Sequence, residues 1–438
     1  MSHNPFKFVV LILAIAILPT GCQELTLNVE IPPSSPTGRP APTALPSTRP
    51  APTVTPAAPT PVSTALPGRL QPGSPVQLAA IHMLDAQQGW GIGNRGTGRR
   101  DAILRTADGG LTWRDVTPPL PENPAGSTRQ AAAAFTDAQH AWVTYFNPIP
   151  SPIAAPPDVW FTTDGGASWG SSPLDVSGVQ LEYLIPGIIG FADAQNGWLL
   201  AHVGAGMSHD YVAIFTTTDG GKSWKRVVDP QVNNLPMSCR KTGLVFLSPR
   251  IGYLSGDCMG VTSGIYLLRT ADSGATWQDV KLPPPADRPD LFTDRNTICG
   301  IDTLSSPSAQ DLYIPVRCSS IGSSSDVRRW LYASHDGGST FQALSVPAQY
   351  GSFQFLNQST AWLIGGFTPD ATRFTLFMTA DSGAAWKTVS NLGWQGEPDF
   401  VDGQSGWVVA LSGSAAALVH TGDGGATWQE IKPHVAGS

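Results

Sequence analysis

One short phrase recurs seven times between Thr106 and Trp428, and it constrains the fold more than any other feature of the chain. In each copy a Ser or Thr is followed at fixed offsets by Asp, Gly and a Trp or Phe. The copies are TADGGLTW (106–113), TTDGGASW (162–169), TTDGGKSW (217–224), TADSGATW (270–277), SHDGGSTF (334–341), TADSGAAW (379–386) and TGDGGATW (421–428). Successive aspartates lie 56, 55, 53, 64, 45 and 42 residues apart, which indicates one supersecondary unit repeated with loops of variable length.

The phrase has a structural interpretation that requires no chemistry. A short carboxylate such as that of Asp108 accepts backbone N–H groups and holds a turn, and Gly110 adopts the positive φ that a residue with a Cβ resists. The large apolar face of Trp113 is then free to pack against a neighbouring unit. We therefore predict turn residues rather than catalytic acids at Asp108, Asp164, Asp219, Asp272, Asp336, Asp381 and Asp423.

A second phrase precedes each copy of the first. Its copies are LDAQQGW (84–90), TDAQHAW (136–142), ADAQNGW (192–198), LSPRIGY (247–253), LNQSTAW (356–362) and VDGQSGW (401–407). The fifth unit has only SPSAQDLY (306–313), in which Tyr313 keeps the aromatic position. Apolar runs on both sides of this polar turn read as strand, turn, strand. Each unit is therefore predicted to have four strands, A to D, with the second phrase closing the A–B hairpin and the first phrase closing the C–D hairpin.

Four-stranded antiparallel units cannot each cover their own apolar faces, but a radial arrangement lets them cover one another. The sequence thus predicts an all-β, seven-bladed β-propeller over residues 76–438. Because consecutive strands alternate in direction, the A–B and C–D turns share one face and the B–C and D–A loops share the other. Long loops at 147–158, 201–210 and 281–296 fall on the second face. We expect binding there, since loops on a rigid scaffold commonly carry function.

The residues before the propeller have the composition of a targeting segment and a spacer. Residues 1–21 contain Lys7 and the apolar run 8–18 and lead through LPTG into Cys22, a pattern that resembles a bacterial lipoprotein signal peptide. We expect lipidation of Cys22; the alternatives are an ordinary secretory signal or an uncleaved anchor. Residues 22–75 are rich in Pro, Thr, Ser and Ala and are predicted to be a disordered spacer. All of these interpretations place the propeller outside the cytoplasm, tethered to the outer face of the membrane or in the periplasm.

The four remaining cysteines have equal spacings. Cys239 and Cys258 are 19 residues apart, as are Cys299 and Cys318, and each pair brackets the aromatic residue of its unit identically. We predict disulfides Cys239–Cys258 and Cys299–Cys318, one of three possible connectivities, in an oxidising compartment. A metal site is the rival interpretation, but no CxxC or histidine pair accompanies these cysteines. We expect neither a metal nor a cofactor.

The formal net charge of −7, with only 13% charged residues, argues against nucleic-acid binding, which requires a concentrated basic surface. The candidates for a binding face, all in predicted loops of the second face, are Arg99, Arg100, Arg328, Arg329 and Trp394. Solvated arginine pairs are the alternative, and Trp394 could equally cap the end of the core. His202, His209 and Asp210 share one loop and suggest a metal, although a solvated loop explains them as well.

The first phrase is the Asp-box, or BNR repeat, and seven copies cover essentially residues 76–433. Asp-box propellers include sialidases, xyloglucanase-type glycoside hydrolases, the sortilin ectodomain and the photosystem II assembly and stability factors of the Ycf48 and HCF136 kind. The chain is most similar to the last group, which pairs one Asp-box per blade with a D-x-x-x-G-W turn in a single exported domain. The resemblance implies a non-enzymatic scaffold that binds protein. The disulfides, the long loops and the spacer depart from that pattern.

A glycoside hydrolase is the competing interpretation. Sialidase-like catalysis needs an arginine cluster and a tyrosine activated by Glu, while xyloglucanase-like catalysis needs two opposed carboxylates. The glutamates of the propeller are Glu122, Glu182, Glu397 and Glu430. Only Glu182 has an adjacent tyrosine, Tyr183, and neighbours on a strand point to opposite faces. We therefore predict a monomeric, non-enzymatic module that binds a protein or a cell-surface glycan through the loop face.

Overall fold

The computed structural model describes residues 69–93, 100–120, 129–149, 157–231, 235–258, 265–322, 326–368 and 372–437. The signal peptide, Cys22, Glu122, Arg99 and most of the spacer lie outside the described residues. Throughout the described ranges the regular secondary structure is β-strand, and the predicted all-β class is confirmed. In the same ranges no helix is long and apolar enough to cross a membrane.

The strands form consecutive four-stranded units, here called meanders 1 to 7. Meander 1 contains β1 (Leu78–Met83), β2 (Gly89–Gly93), β3 (Ala102–Thr106) and β4 (Thr112–Asp115). Meander 2 contains β5 (Gln130–Phe135), β6 (Ala141–Phe146), β7 (Asp158–Thr162) and β8 (Gly170–Pro173). Meander 3 contains β9 (Ile185–Phe191), β10 (Gly197–Gly206), β11 (His209–Thr217) and β12 (Lys225–Val228). Meander 4 contains β13 (Arg240–Phe246), β14 (Gly252–Asp257), β15 (Tyr266–Thr270) and β16 (Gln278–Asp279).

The remaining meanders follow the same order. Meander 5 contains β17 (Thr297–Ile301), β18 (Leu312–Ser320), β19 (Val327–Ser334) and β20 (Gln342–Ser345). Meander 6 contains β21 (Tyr350–Phe355), β22 (Ala361–Gly366), β23 (Phe374–Thr379) and β24 (Lys387–Leu392). Meander 7 contains β25 (Asp399–Phe400), β26 (Gly406–Ser412), β27 (Ala415–Thr421) and β28 (Gln429–Ile431), and β29 (His434–Val435) ends the described strands. The four strands of each meander pair antiparallel in chain order, as the two phrases predict.

Two pairings depart from a simple series of separate sheets. Meanders 4 and 5 are continuous, because β14 pairs with β17 through Asp257 and Gly300. At the other end of the domain β29 pairs parallel with β4, which brings His434 opposite Thr112. The C-terminal segment therefore adds a fifth strand to the first sheet.

The core lies between adjacent meanders rather than inside any one of them. One buried cluster combines Met83 and Trp113 of meander 1 with Trp407 and Leu418 of meander 7. Other clusters join meanders 1 and 2, 2 and 3, 3 and 4, 4 and 5, 5 and 6, and 6 and 7 in the same way. Since each meander packs on the next and the last packs on the first, the meanders close into a β-propeller.

The aromatic residue of the second phrase forms much of this inter-meander packing. Trp142 stacks on Phe191 of the next meander with ring centroids 3.5 Å apart, and its Nε1 donates to Gly220 O at 2.8 Å. Tyr313 stacks on Phe355 at 3.7 Å, so it keeps the aromatic role in the irregular fifth copy, as predicted. The partner Phe is the last residue of the next A strand, which explains why an apolar residue precedes the polar turn in the six regular copies of the second phrase; in the fifth unit Ser305 stands there.

Both predicted disulfides are present, and both join an A strand to its B strand. Cys299 and Cys318 face each other in the register of β17 and β18, with Cα atoms 4.1 Å apart. Cys239 and Cys258 extend the pairing of β13 and β14, with Cα atoms 4.2 Å apart. The same covalent link therefore occurs at equivalent places in two consecutive meanders.

The folded domain begins before the boundary expected from composition. Arg69 Nη1 lies 2.7 Å from Asp115 Oδ1, and the backbone N–H of Leu70 donates to the other carboxylate oxygen at 2.9 Å. Leu70 also packs against the cluster between meanders 7 and 1. Residues 69–75, which the sequence analysis assigned to the spacer, therefore contact the propeller.

Candidate functional site

The Asp-box carboxylates are saturated with hydrogen bonds inside their own turns. Asp108 accepts from Thr106 Oγ1 and from the backbone N–H of Thr112, both at 2.9 Å, and from Thr112 Oγ1 at 2.6 Å. The two glycines have φ of 73° and 94°, and in two other copies Ser273 and Ser382 adopt the first of these conformations with φ of 64°. The contacts with the first hydroxyl and with the backbone N–H recur in all the other copies, which supports turn residues rather than acids. The second hydroxyl is missing only beside Asp381, where Ala385 takes its place.

The hydrogen bonds also fix the charge of these carboxylates. Donation from the hydroxyl and the backbone N–H of Ser168 lowers the pKa of Asp164 to about 2. The pKa of Asp336 and of Asp423 falls to about 2 for the same reason. A carboxylate with so low a pKa stays ionised at neutral pH and is a poor proton donor.

The opposite face, formed by the B–C and D–A loops and here called the loop face, carries most of the exposed large apolar side chains. Six such side chains are strongly exposed in the described residues, and five of them lie at B–C hairpins. These five are Ile149 (69%), Met207 (94%), Ile321 (58%), Phe367 (64%) and Leu411 (40%). They belong to meanders 2, 3, 5, 6 and 7 in that order. The sixth, Leu111, lies in an Asp-box turn on the other face. Apolar exposure concentrated on one face is typical of an interaction surface.

The arginines predicted for this face are dispersed. Arg99 lies outside the described residues. Arg100 forms a parallel bridge with Arg129 and its Nη1 lies 3.4 Å from Leu120 O. Arg328 is exposed, with its Nε 3.9 Å from Asp326 Oδ1.

The prediction that Arg328 and Arg329 form an exposed pair in a loop is wrong for Arg329. Arg328 and Arg329 both lie in β19, so their side chains alternate, and the Arg329 side chain is only 2% exposed. Its Nη2 pairs with Asp302 Oδ2 at 2.7 Å and donates to Gly351 O at 3.0 Å. Burial lowers the pKa of the guanidinium, opposed by the charge of Asp302. Arg329 thus links meanders 5 and 6 and is not available to a partner at the surface.

Trp394 caps the end of the core, which is the alternative to an exposed binding residue. Its ring meets the edge of Trp428 with centroids 5.4 Å apart and packs against the core cluster between meanders 6 and 7. The side chain is half-buried, so it covers the end of that core rather than standing free.

His202 lies within β10, and His209 and Asp210 are the first two residues of β11, so none of the three is in a long loop. His202 Nδ1 lies 2.8 Å from Asp210 Oδ1, and Asp210 Oδ2 accepts the backbone N–H of Lys241 at 2.7 Å. The buried ammonium of Lys241 donates to three carbonyl oxygens, and burial lowers its pKa to about 8. Asp210 therefore has two structural hydrogen-bond partners, while His209 Nδ1 lies 2.8 Å from Met207 O.

Glu182 and Tyr183 precede β9 in a D–A loop, so the alternation of a strand does not apply to them. Glu182 Oε2 lies 3.4 Å from the backbone N–H of Ala205. Burial, with the negative charges of Asp210 and Glu182, raises the pKa of Tyr183. A raised pKa makes this phenol harder to ionise, which disfavours it as a nucleophile.

A cavity of about 730 Å³ opens on the loop face among the A strands of meanders 6, 7 and 1. We call it the mouth pocket. Its lining includes Tyr350, Glu397, Asp399 and Leu411, together with the small residues Ala79 and Ala80. Leu411 is also one of the exposed apolar side chains at the B–C hairpins, so the pocket meets the apolar surface at meander 7.

The mouth pocket contains a carboxyl group in an unfavourable environment. Burial raises the pKa of Asp399 to about 7, the nearby charge of Glu397 adds to the rise, and a hydrogen bond from the backbone N–H of Met83 opposes it. That hydrogen bond is 2.6 Å long. His82 Nδ1 lies 3.9 Å from Asp399 Oδ1. Desolvation by burial lowers the pKa of His82, although 45% of its side-chain area remains in contact with solvent.

Sequence reasoning missed this pocket, although a signal was present. The penultimate residue of the A strand is small or apolar in meanders 2, 3 and 4, where it is Ala134, Gly190 and Val245, respectively. In meanders 6, 7 and 1 the same position holds polar side chains, namely Gln354, Asp399 and His82. Three consecutive polar residues at one position of the A strand indicate a polar region where meanders 6, 7 and 1 meet, since Gln354 bonds the backbone of Phe400 and His82 lies beside Asp399.

No protein-family model matches the chain. No curated protein matches it either. Among solved structures, YCF48 bound to a D1 peptide is 17% identical, with a TM-score of 0.46 over 81% of this chain and 95% of that one. YCF48 from Cyanidioschyzon merolae is also 17% identical, with a TM-score of 0.48 over 80% and 97%. The xyloglucanase of glycoside hydrolase family 74 from Xanthomonas campestris is 13% identical, with a TM-score of 0.37 over 82% and 68%.

Proposed function

We propose that this chain is an extracytoplasmic, lipid-anchored β-propeller that binds a protein partner through its loop face and acts as a non-enzymatic scaffold. The observation that carries the proposal is the concentration of exposed apolar side chains at the B–C hairpins, with Met207 and Phe367 among them. Exposed apolar side chains on a charged and polar rim are the usual centres of protein–protein contacts.

The two disulfides support a location outside the cytoplasm. Disulfides persist in oxidising environments and are rare in the cytosol, so a chain with two of them is expected to function outside it. The lipid anchor is tested by mass spectrometry of the mature N-terminus. We expect a diacylated Cys22, and an unmodified residue other than Cys22 at the N-terminus would exclude the anchor.

Partner binding is tested by crosslinking and capture from native membranes with the full-length chain. We compare the wild type with the double variant Met207→Ser/Phe367→Ser and with Leu111→Ser, which removes an apolar side chain that is 53% exposed on the opposite face. Interface centres of this kind contribute about 1–2 kcal/mol each, so the double variant should lose the partner at least tenfold. Leu111→Ser should retain it. Equal recovery in all three would contradict the proposal.

A glycoside hydrolase remains a second candidate because one observation favours it. Asp399 has a raised pKa in a pocket that also contains Glu397, and a carboxyl group held near neutral pKa suits a general acid. The test is turnover of sialosides and β-glucans by the wild type and by Glu397→Gln. Activity that survives purification and disappears in the variant would favour the enzyme over the scaffold.

A further inference from the structure

The mouth pocket has negative groups without a matching cation. Glu397 and Asp399 both line it, and within the described residues the one ion-pair partner assigned to either carboxylate is His82, at 3.9 Å. Since the pKa of His82 is lowered, its ring is neutral at neutral pH and supplies no full positive charge. The ionised form of Asp399, whose side chain is only 13% exposed, is costly unless a cation pairs with it, and the exposed carboxylate of Glu397 adds negative charge beside it.

The surroundings restrict what kind of cation fits. The cavity of about 730 Å³ is wide enough for a long side chain, and Tyr350 and Leu411 give it an aromatic and an apolar wall. Such walls suit the methylene stem of a basic side chain, while the ring of Tyr350 already has the guanidinium of Arg317 5.2 Å from its centroid. The pocket opens on the loop face beside the exposed apolar side chains, so a protein bound there reaches both. Nucleic acid and anionic membranes would bring further negative charge to the carboxylates.

We propose that the mouth pocket receives the cationic side chain of a lysine or arginine residue of the protein partner, with Glu397 and Asp399 pairing with its charged group. This inference rests on the proposed function, because it assigns part of the partner to one position on the loop face.

The test uses a short probe, so that it does not depend on identifying the partner. The tripeptide Gly-Arg-Gly, acetylated at its N-terminus and amidated at its C-terminus, is titrated into the full-length chain and followed by calorimetry or by NMR, beside the identically blocked Gly-citrulline-Gly, which has nearly the same shape and no charge. We expect the arginine peptide to bind and the citrulline peptide to bind at least tenfold more weakly. Asp399→Asn and Glu397→Gln should each weaken arginine-peptide binding about tenfold.

Asp402→Asn is the matched control. It removes the same charge three residues from Asp399, in the exposed A–B turn on the opposite face, where the Asp402 carboxylate accepts the backbone N–H groups of Gln404 and Ser405. Binding should be unchanged in this variant. Glu397 is exposed, so Glu397→Gln remains informative if Asp399→Asn fails to fold.

The pH dependence gives a second readout. With a pKa of about 7, Asp399 is ionised to about one tenth at pH 6 and about nine tenths at pH 8. Arginine-peptide binding should therefore strengthen by nearly tenfold between these pH values, and Asp399→Asn should remove most of this dependence. His82 on β1 and Glu397 before β25 are the other titratable groups beside Asp399. Protonation of His82 at lower pH weakens binding in the same direction.

Three outcomes would overturn the inference: equal binding of the citrulline peptide, unchanged binding in both carboxylate variants, or a site that takes only a divalent cation. Partner capture by the wild type together with any of these would reject the mouth pocket and leave the proposed function intact. Peptide binding without partner capture would support cation binding in the mouth pocket and reject partner binding through the exposed apolar side chains.

Discussion

The indole Nε1 of Trp407 donates a hydrogen bond of 2.9 Å to the carbonyl oxygen of Gly109, 298 residues earlier in the chain. Trp407 belongs to the second phrase of meander 7 and Gly109 to the Asp-box of meander 1. The same kind of bond joins Trp142 to the Asp-box of the following meander, so the closing contact of the propeller repeats an internal one.

Removing this bond should destabilise the propeller. In Trp407→Phe the partly buried carbonyl of Gly109 loses its donor, and we expect a loss of about 1 kcal/mol in the free energy of unfolding beyond the cost of the smaller ring. Trp362→Phe is the control, because Trp362 is equally buried and stacks on Phe400 at 3.9 Å, but its Nε1 has no hydrogen-bond partner. Urea unfolding of both variants measures the difference. Equal losses would show that the bond contributes little.

A methyl group at Gly338 should be poorly tolerated. Gly338 has φ of 80°, and an added Cβ would lie 1.8 Å from the Tyr253 hydroxyl, which donates to Gly338 O at 3.1 Å. We expect Gly338→Ala to cost about 2–4 kcal/mol from backbone strain and overpacking together. Gly322→Ala isolates the strain, since Gly322 also has φ of 80° but nothing within 4 Å of an added Cβ. Thermal unfolding should show a clearly smaller loss for Gly322→Ala, and matching losses would refute the packing argument.

The stability of the propeller should depend on the ionisation of Asp399. Its folded pKa of about 7 exceeds the ordinary value of 3.8, so the favourable contribution of its protonated form is complete below about pH 4 and is lost as the pH rises through 7. The difference corresponds to about 4 kcal/mol. Asp399→Asn cannot ionise and can still accept the Met83 N–H. It should be about 2–4 kcal/mol more stable than the wild type at pH 8 and similar to it at pH 4.

Asp402→Asn is the comparison variant, because the pKa of Asp402 is shifted in the opposite direction to that of Asp399. Hydrogen bonds from Ser405 and Gln404 lower the pKa of Asp402, so its ionised form stabilises the fold above about pH 4. This variant should be no more stable than the wild type at pH 8. Urea unfolding at pH 4, 6 and 8 measures both effects, and a stability of Asp399→Asn that parallels the wild type across this range would contradict the assignment.

Each disulfide should contribute stability by restricting the unfolded chain. The loop closed by Cys299–Cys318 spans 19 residues, for which the loop-entropy model gives about 3 kcal/mol. We expect Cys299→Ala/Cys318→Ala to lose about that amount in urea unfolding under oxidising conditions. Under a strong reductant the wild type and the variant should converge. A difference that persists after complete reduction would point to packing at these positions instead.

The repeats made most of the fold predictable, while the candidate site was largely not. The position of Asp108 in its turn and the pairing of Cys239 with Cys258 follow from local spacing, which a sequence displays directly. The burial of Arg329 depends on Asp302 and Gly351, which other strands supply, and no local pattern reports it. The proximity of His82 to Asp399 arises only because the chain closes on itself and places its first and last A strands side by side.

The N-terminal and C-terminal segments of the propeller hold each other in place. The backbone N–H of Gly73 donates to Val435 O, that of Val76 donates to Pro433 O, and that of Val435 donates to Ser74 O, at 2.9, 2.9 and 2.8 Å. A mechanical load applied at Arg69 is therefore transmitted into the last strand and through its pairing with β4 into the first sheet. A pull that detached this short ladder would release both segments at once, and the closure of the ring would then depend on the packing between meanders 7 and 1 and on the hydrogen bonds that Trp407 and Asp399 make across it.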